Sequence, residues 1–147
     1  MKKFVSLVLF LCVIFSSVSA FAASNEVVID GEKVKIAEGF GEVTTVDDTV
    51  FIPIRFIFEH FGYQIEWTDA ERLVMGADEK GAMIVLQVDN NLFFANRIEE
   101  GNKIEMEKAV FLNNEQGRTY MPASVAASYF GFDAKFNAET NTLEFVK

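Results

Sequence analysis

The sequence predicts an α+β domain, mainly antiparallel sheet with two short helices, and three observations predict it. A strand–proline–helix–glycine–strand stretch runs from Phe51 to Trp67 and returns from Tyr120 to Phe136. Pro53 and Pro122, the only two prolines, stand 69 positions apart, and Gly62 with Gly131 and Trp67 with Phe136 keep that spacing. A match at one fixed period is the mark of an internal duplication. Around these copies lie many short β-type runs divided by turn residues, which favours antiparallel pairing. The 16 phenylalanines, most of them after residue 22, supply an aromatic core.

Pro53 and Pro122 suit the first helical position, where a missing N–H is no loss and φ is already near the helical value. After Pro53, the apolar residues Ile54, Ile57, Phe58 and Phe61 fall at i, i+3, i+4 and i+7, one face of a helix. Ala123, Ala126, Ala127 and Phe130 take the same places in the second copy. Their small size predicts close approach of a neighbouring backbone. Gly62 and Gly131 stand where a left-handed stop residue is expected. Helices of about two to three turns are not stable alone, so each must dock. The strand that follows offers the surface. Tyr63, Ile65 and Trp67 alternate with Gln64 and Glu66, and Phe132, Ala134 and Phe136 alternate with Asp133 and Lys135. Period two predicts one buried face, which places Tyr63 and Trp67 in the core.

In chain order, residues 1–22 read as a segment outside the fold. Met1-Lys2-Lys3 is a basic start, Phe4 to Phe15 is almost wholly apolar, and Ala20-Phe21-Ala22 fits a small-x-small cleavage pattern. This is the grammar of a secretory signal peptide. An apolar core of about a dozen residues falls short of the roughly 20 that span a bilayer, so no stable membrane insertion is expected after cleavage. Cys12, the only cysteine, lies inside that core, and the mature chain is expected to lack cysteine. Cleavage would also take the basic count from 13 to 11 against 22 acidic residues, a net charge of −11. That surface argues against nucleic-acid binding, which runs on Lys and Arg. It also argues against adhesion to anionic polymers by charge alone. About 125 residues suffice for one domain, expected over 23–147.

Val27-Val28-Ile29, Asp30-Gly31 and Glu32 to Ile36 read as a hairpin. A glycine-bearing loop follows over 37–48, with a short strand at Val43 to Val46, and Thr49 to Ile52 leads into the first helix. Leu73-Val74-Met75 returns after the Thr68–Arg72 turn, and Gly76 to Gly81 reads as the polar joint between the copies. The first copy is thus placed at about 27–76 and the second at about 82–147. Met83 to Val88 is the most apolar run after residue 22 and is expected to be a central strand. Leu92–Ala95, Ile104–Glu107 and Val110–Leu112 follow as strands. Arg118–Met121 leads into the second helix, and Thr142–Val146 closes the chain.

These landmarks resemble a known family. Asp48-Thr49-Val50-Phe51-Ile52-Pro53-Ile54-Arg55 runs through Phe61-Gly62 to Trp67-Thr68-Asp69-Ala70. Gly117-Arg118-Thr119-Tyr120-Met121-Pro122 runs through Phe130-Gly131 to Phe136-Asn137-Ala138. The pattern is similar to the copper amine oxidase N-terminal-like domain, also called the stalk domain, over nearly all of the chain after the signal. The resemblance implies a non-catalytic appended module of secreted and wall-associated bacterial proteins, with an antiparallel sheet around a short helix. It does not imply amine oxidation, whose catalytic core is a separate and much larger domain. Ser124 stands where that pattern has the helix arginine, Phe136 where it has tryptophan, and the first copy lacks the Gly-Arg pair before its strand.

Residues with catalytic chemistry are sparse. His60 is the only histidine, on the helix face opposite the core, and it reads as a solvated side chain with no metal or other cofactor. One histidine and no mature cysteine argue against Ser-His-Asp and Cys-His catalysis. The acidic pairs Asp47-Asp48, Asp69/Glu71 and Glu99-Glu100 read as solvated turns, and no catalytic residue is assigned. The binding candidates are Arg55 and Tyr120. Arg55 could take a carboxylate or phosphate but is expected to pair with Glu59 four residues on. Trp67 and Tyr63 could stack on sugars were they not core residues. The expected function is a secreted, non-enzymatic binding or structural module of the cell envelope, with a wall component or another extracellular protein as partner. The rival expectation is a small extracellular hydrolase acting on wall polymers or glycans.

Overall fold

The computed structural model describes residues 24–99 and 101–147; the expected signal segment, with Cys12, lies outside the described residues. The chain runs β1 (Glu26–Ile29), β2 (Glu32–Lys35), β3 (Thr44–Val46), β4 (Thr49–Pro53), α1 (Ile54–His60), β5 (Gln64–Thr68), β6 (Leu73–Ala77) and β7 (Met83–Gln87). It continues through β8 (Leu92–Ala95), β9 (Lys103–Glu105), β10 (Phe111–Asn113), β11 (Arg118–Pro122), α2 (Ala123–Tyr129), β12 (Asp133–Asn137) and β13 (Thr142–Val146). The strands form three sheets, ordered β12-β13-β1-β2, β10-β11-β4-β3 and β5-β6-β7-β8-β9. This is the expected α+β architecture, and all its strand pairs but β1–β13 are antiparallel.

At the centre, β4 and β11 pair antiparallel with Ile52 opposite Met121, and each is flanked by its own hairpin partner, β3 or β10. Exchanging β4 with β11 and β3 with β10 maps this sheet onto itself, a local two-fold relation. Each central strand runs straight into a helix. Pro53 and Pro122 are N-caps with ψ of 126° and 128°, so the helices begin one residue later than expected. Both prolines still hold places in the ladder, opposite Tyr120 and Phe51, and their fixed φ then leads into the first turn.

Helix α1 buries Ile54, Phe56, Ile57 and Phe58, and α2 buries Ala123, Ala126 and Ala127. Both lie against β4 and β11, and α2 also meets β12. Both end in the same way. Gly62 (φ 89°) donates its N–H to Glu59 O at 3.0 Å, and Tyr63 N–H reaches Phe58 O at 3.0 Å. Gly131 (φ 82°) donates to Ser128 O at 3.1 Å, and Phe132 N–H reaches Ala127 O at 2.9 Å. These paired bonds are a Schellman close, which needs a residue in the left-handed region.

The hairpins β5–β6 and β12–β13 follow at equal offsets, and then the halves diverge. β6 continues antiparallel through β7 and β8 to β9. β13 instead takes β1 as a parallel neighbour, with Val28 beside Glu144, and β2 completes that sheet. Because β7 lies between them, β8 runs parallel to β6, as β1 does to β13. The leading hairpin of each half therefore lies in the sheet of the other half.

The polar joint expected at Gly76–Gly81 is displaced. Gly76 and Ala77 belong to β6, and the turn is confined to 78–82, where Asp78 Oδ1 accepts from Lys80 N–H at 2.9 Å and Ala82 N–H at 2.8 Å. Gly76 is buried in a rung between Ile65 and Ile84. A Cβ there would sit 2.7 Å from Ile65 Cδ1 and 2.9 Å from Ile84 Cγ1. Lack of room, not a turn, accounts for that glycine.

Candidate binding groove

Trp67 is not a core residue. Along its strand the inward series drifts outward: Tyr63 is 5% exposed, Ile65 is half-buried and Trp67 is 38% exposed. The reason is topological, since β5 is the edge strand of its sheet and its far end has no neighbour on one side. The indole is held in place, because Nε1 donates to Asp69 Oδ1.

In front of Trp67 lies a groove of about 330 Å³. Phe40, Pro53, Val74 and Leu112 give it apolar walls, and Arg55, Arg118, Glu66 and Asp69 supply its charges. Both guanidinium groups are tethered to backbone. Arg55 Nε lies 3.3 Å from Glu59 Oε1, the expected i, i+4 pair, and Nη2 donates to Ile65 O at 3.2 Å. Arg118 Nε donates to Gly39 O, and its guanidinium carbon sits 5.7 Å from the centroid of the Phe40 ring. A pre-set planar fork loses little rotamer freedom on meeting a ligand.

Tyr120 stands behind this groove rather than in it. It is 1% exposed, and its ring stacks on Phe111 with centroids 4.9 Å apart. Its hydroxyl donates to Gln116 Oε1 and accepts from Glu42 N–H at 3.3 Å. Burial pushes its phenol above the ordinary value. The loop carrying Gly39 and Phe40 crosses over it at Gly41, where a Cβ would meet the hydroxyl at 2.4 Å. Tyr120 thus supports the loop that holds Arg118 and Phe40. The structure brings Arg55 and Trp67 together and adds Arg118 and Phe40. Phe40's signal in the sequence was an aromatic residue set between two glycines.

The local two-fold gives the groove a counterpart of about 140 Å³. There Ser124 replaces Arg55, Thr49 replaces Arg118, Phe136 replaces Trp67 and Ala134 replaces Ile65. Each half thus supplies one arginine that the other lacks, and both arginines meet at a single groove.

A larger hollow of about 680 Å³ lies by Phe61, Tyr63, Tyr129 and Phe130, and four of its polar side chains are engaged in pairs. Tyr63 and Tyr129 share a hydroxyl contact of 2.8 Å, and Arg97 Nη2 lies 3.3 Å from Asp78 Oδ2. Tyr63 is therefore no sugar platform. His60 is exposed and rests against Phe56 and Phe61. Asp47 and Asp48 are the positive-φ residues of the β3–β4 turn.

Residues 28–145 match the family model for the copper amine oxidase N-terminal domain. The chain belongs to that family. The copper amine oxidase N-terminal domain is a non-catalytic accessory domain. Its name carries copper, but the residues here do not fit a copper centre. His60 is the only histidine, and among the described residues no three His, Cys, Asp or Glu side chains gather around one point. No curated protein and no solved structure matches this member of the family.

Proposed function

We propose that the chain is a secreted, non-catalytic binding module of the cell envelope, formed by duplication, and that its Trp67 groove takes an uncharged saccharide. Secretion rests on the basic, apolar, small-residue order of residues 1–22. The observation that carries the binding reading is an exposed, pinned indole sharing its groove with two tethered arginines, found in one of two equivalent grooves. A sugar ring has an apolar C–H face and a rim of hydroxyls. A planar indole suits the first. Arginine forks and carboxylates, which donate and accept, suit the second. Arg55 and Arg118 are balanced in the groove by Glu66 and Asp69, which favours a neutral ligand over a polyanion.

The test is retention on purified wall polysaccharide and on defined neutral oligosaccharides. Wild type and Phe136→Ala should be retained, and Trp67→Ala should not. Equal retention of Trp67→Ala would contradict the assignment. Release of new reducing ends in the same panel would replace it with the hydrolase reading.

A further inference from the structure

The sheet β5-β6-β7-β8-β9 buries one face in the core, and nothing among the described residues covers the other. Its register sets Glu66, Met75, Val85, Phe94 and Lys103 in a single rung across all five strands. Met75 is 37% exposed, Phe94 41% and the neighbouring Met83 56%. The central strand is apolar at four of its five positions, Met83 to Leu86. That is the composition of a strand covered on both sides, yet only Ile84 and Leu86 are buried.

We propose that this face docks on the same face of a second copy of the chain. The rung is apolar in the middle, acidic at one end and basic at the other. Within one chain Glu66 and Lys103 are four strand spacings apart, about 19 Å, and among the described residues neither makes an ion pair. Sheets packed face to face can be related by a two-fold axis lying between them. An axis parallel to β7 lays Glu66 of each copy over Lys103 of the other, Met75 over Phe94, and Val85 over itself. An axis across the strands would lay Glu66 on Glu66 and Lys103 on Lys103. Charge thus selects one arrangement and opposes the other. The surface touches the Trp67 groove at Glu66, while the neighbouring Ile65 and Trp67 lie on the other face of β5.

The test is sedimentation velocity over a concentration series, on protein made with its own N-terminal segment in a secreting host. Wild type should show a reversible monomer–dimer equilibrium. Glu66→Lys and Lys103→Glu should each weaken it by about tenfold or more, and the double reversal should restore it, because the pairing is reciprocal. Wild type that stays monomeric at every concentration would overturn the proposal. In that case, methionine oxidation tells which other occupant applies. Protected Met75 and Met83 would assign the face to an N-terminal segment retained without cleavage, and reactive ones would leave it to a different protein. A dimer indifferent to both single reversals, or not rescued by the double, would equally overturn it.

Discussion

Phe61 and Phe130, the C-cap residues of the two helices, stack with ring centroids 4.0 Å apart and planes 17° from parallel. They are equivalent positions, 69 residues apart, and meet across the local two-fold. Phe58 joins the contact from α1, its ring 5.2 Å from that of Phe130. Phe61→Ala and Phe130→Ala should each cost roughly 2–3 kcal/mol, below the range for fully buried rings because both are half-buried. A double-mutant cycle on urea midpoints should give a coupling of about 0.5–1.5 kcal/mol. Strict additivity would mean that the rings only fill space.

The exchange of leading hairpins makes the halves interdependent. Residues 24–79 contain β1 and β2 but not the β13 strand beside which they lie, and β5 and β6 but not β7. That fragment, expressed alone, should give no cooperative melt and no native near-UV signal. A sharp transition from it would contradict the exchange.

Gly62→Val and Gly131→Val should each cost about 1–3 kcal/mol, since both positions hold φ near +85° with open space around them. Gly76→Ala should also destabilise, by about 1–3 kcal/mol, for a different reason: the added methyl overlaps Ile65 and Ile84. The two causes separate in one experiment. Ile65→Val removes the nearest clashing atom, so it should lessen the cost of Gly76→Ala and leave that of Gly62→Val unchanged.

Alkaline pH should destabilise the protein through its buried phenols. Burial first, then the hydrogen bond to Tyr129, raises Tyr63 well above its ordinary value, and burial raises Tyr120. A folded-state pKa above the unfolded one favours the protonated, folded form. The contribution is therefore complete below about pH 10 and is lost as pH rises beyond it. The slope is at most about 1.4 kcal/mol per pH unit for each phenol. Melting temperature should fall above pH 10 in wild type, and less steeply in Tyr63→Phe/Tyr120→Phe.

Much of the fold was legible because local signals repeat. The prolines, the helical apolar face and the glycine stops are each set within a few residues, so one copy corroborates the other. What was not legible depends on partners distant in sequence. Nothing local to Val27–Ile29 indicates a parallel seat beside β13, and nothing local to Trp67 says that β5 is an edge. Gly76 resembled a turn glycine because a lack of room and a need for positive φ leave the same letter. In the groove, Arg55 was readable from its helix position. Its meeting with Arg118 required knowing that β4 and β11 are neighbours.

Trp67 is the only tryptophan, so its emission reports on the groove alone. The most direct measurement is a fluorescence titration of the protein with the neutral saccharide that retains it. Stacking on a partly exposed indole should give a saturable blue shift or quench, lost in Arg55→Ala/Arg118→Ala and kept in Ser124→Ala. A saccharide that is retained yet leaves the emission unchanged at saturation would contradict the groove as the binding site.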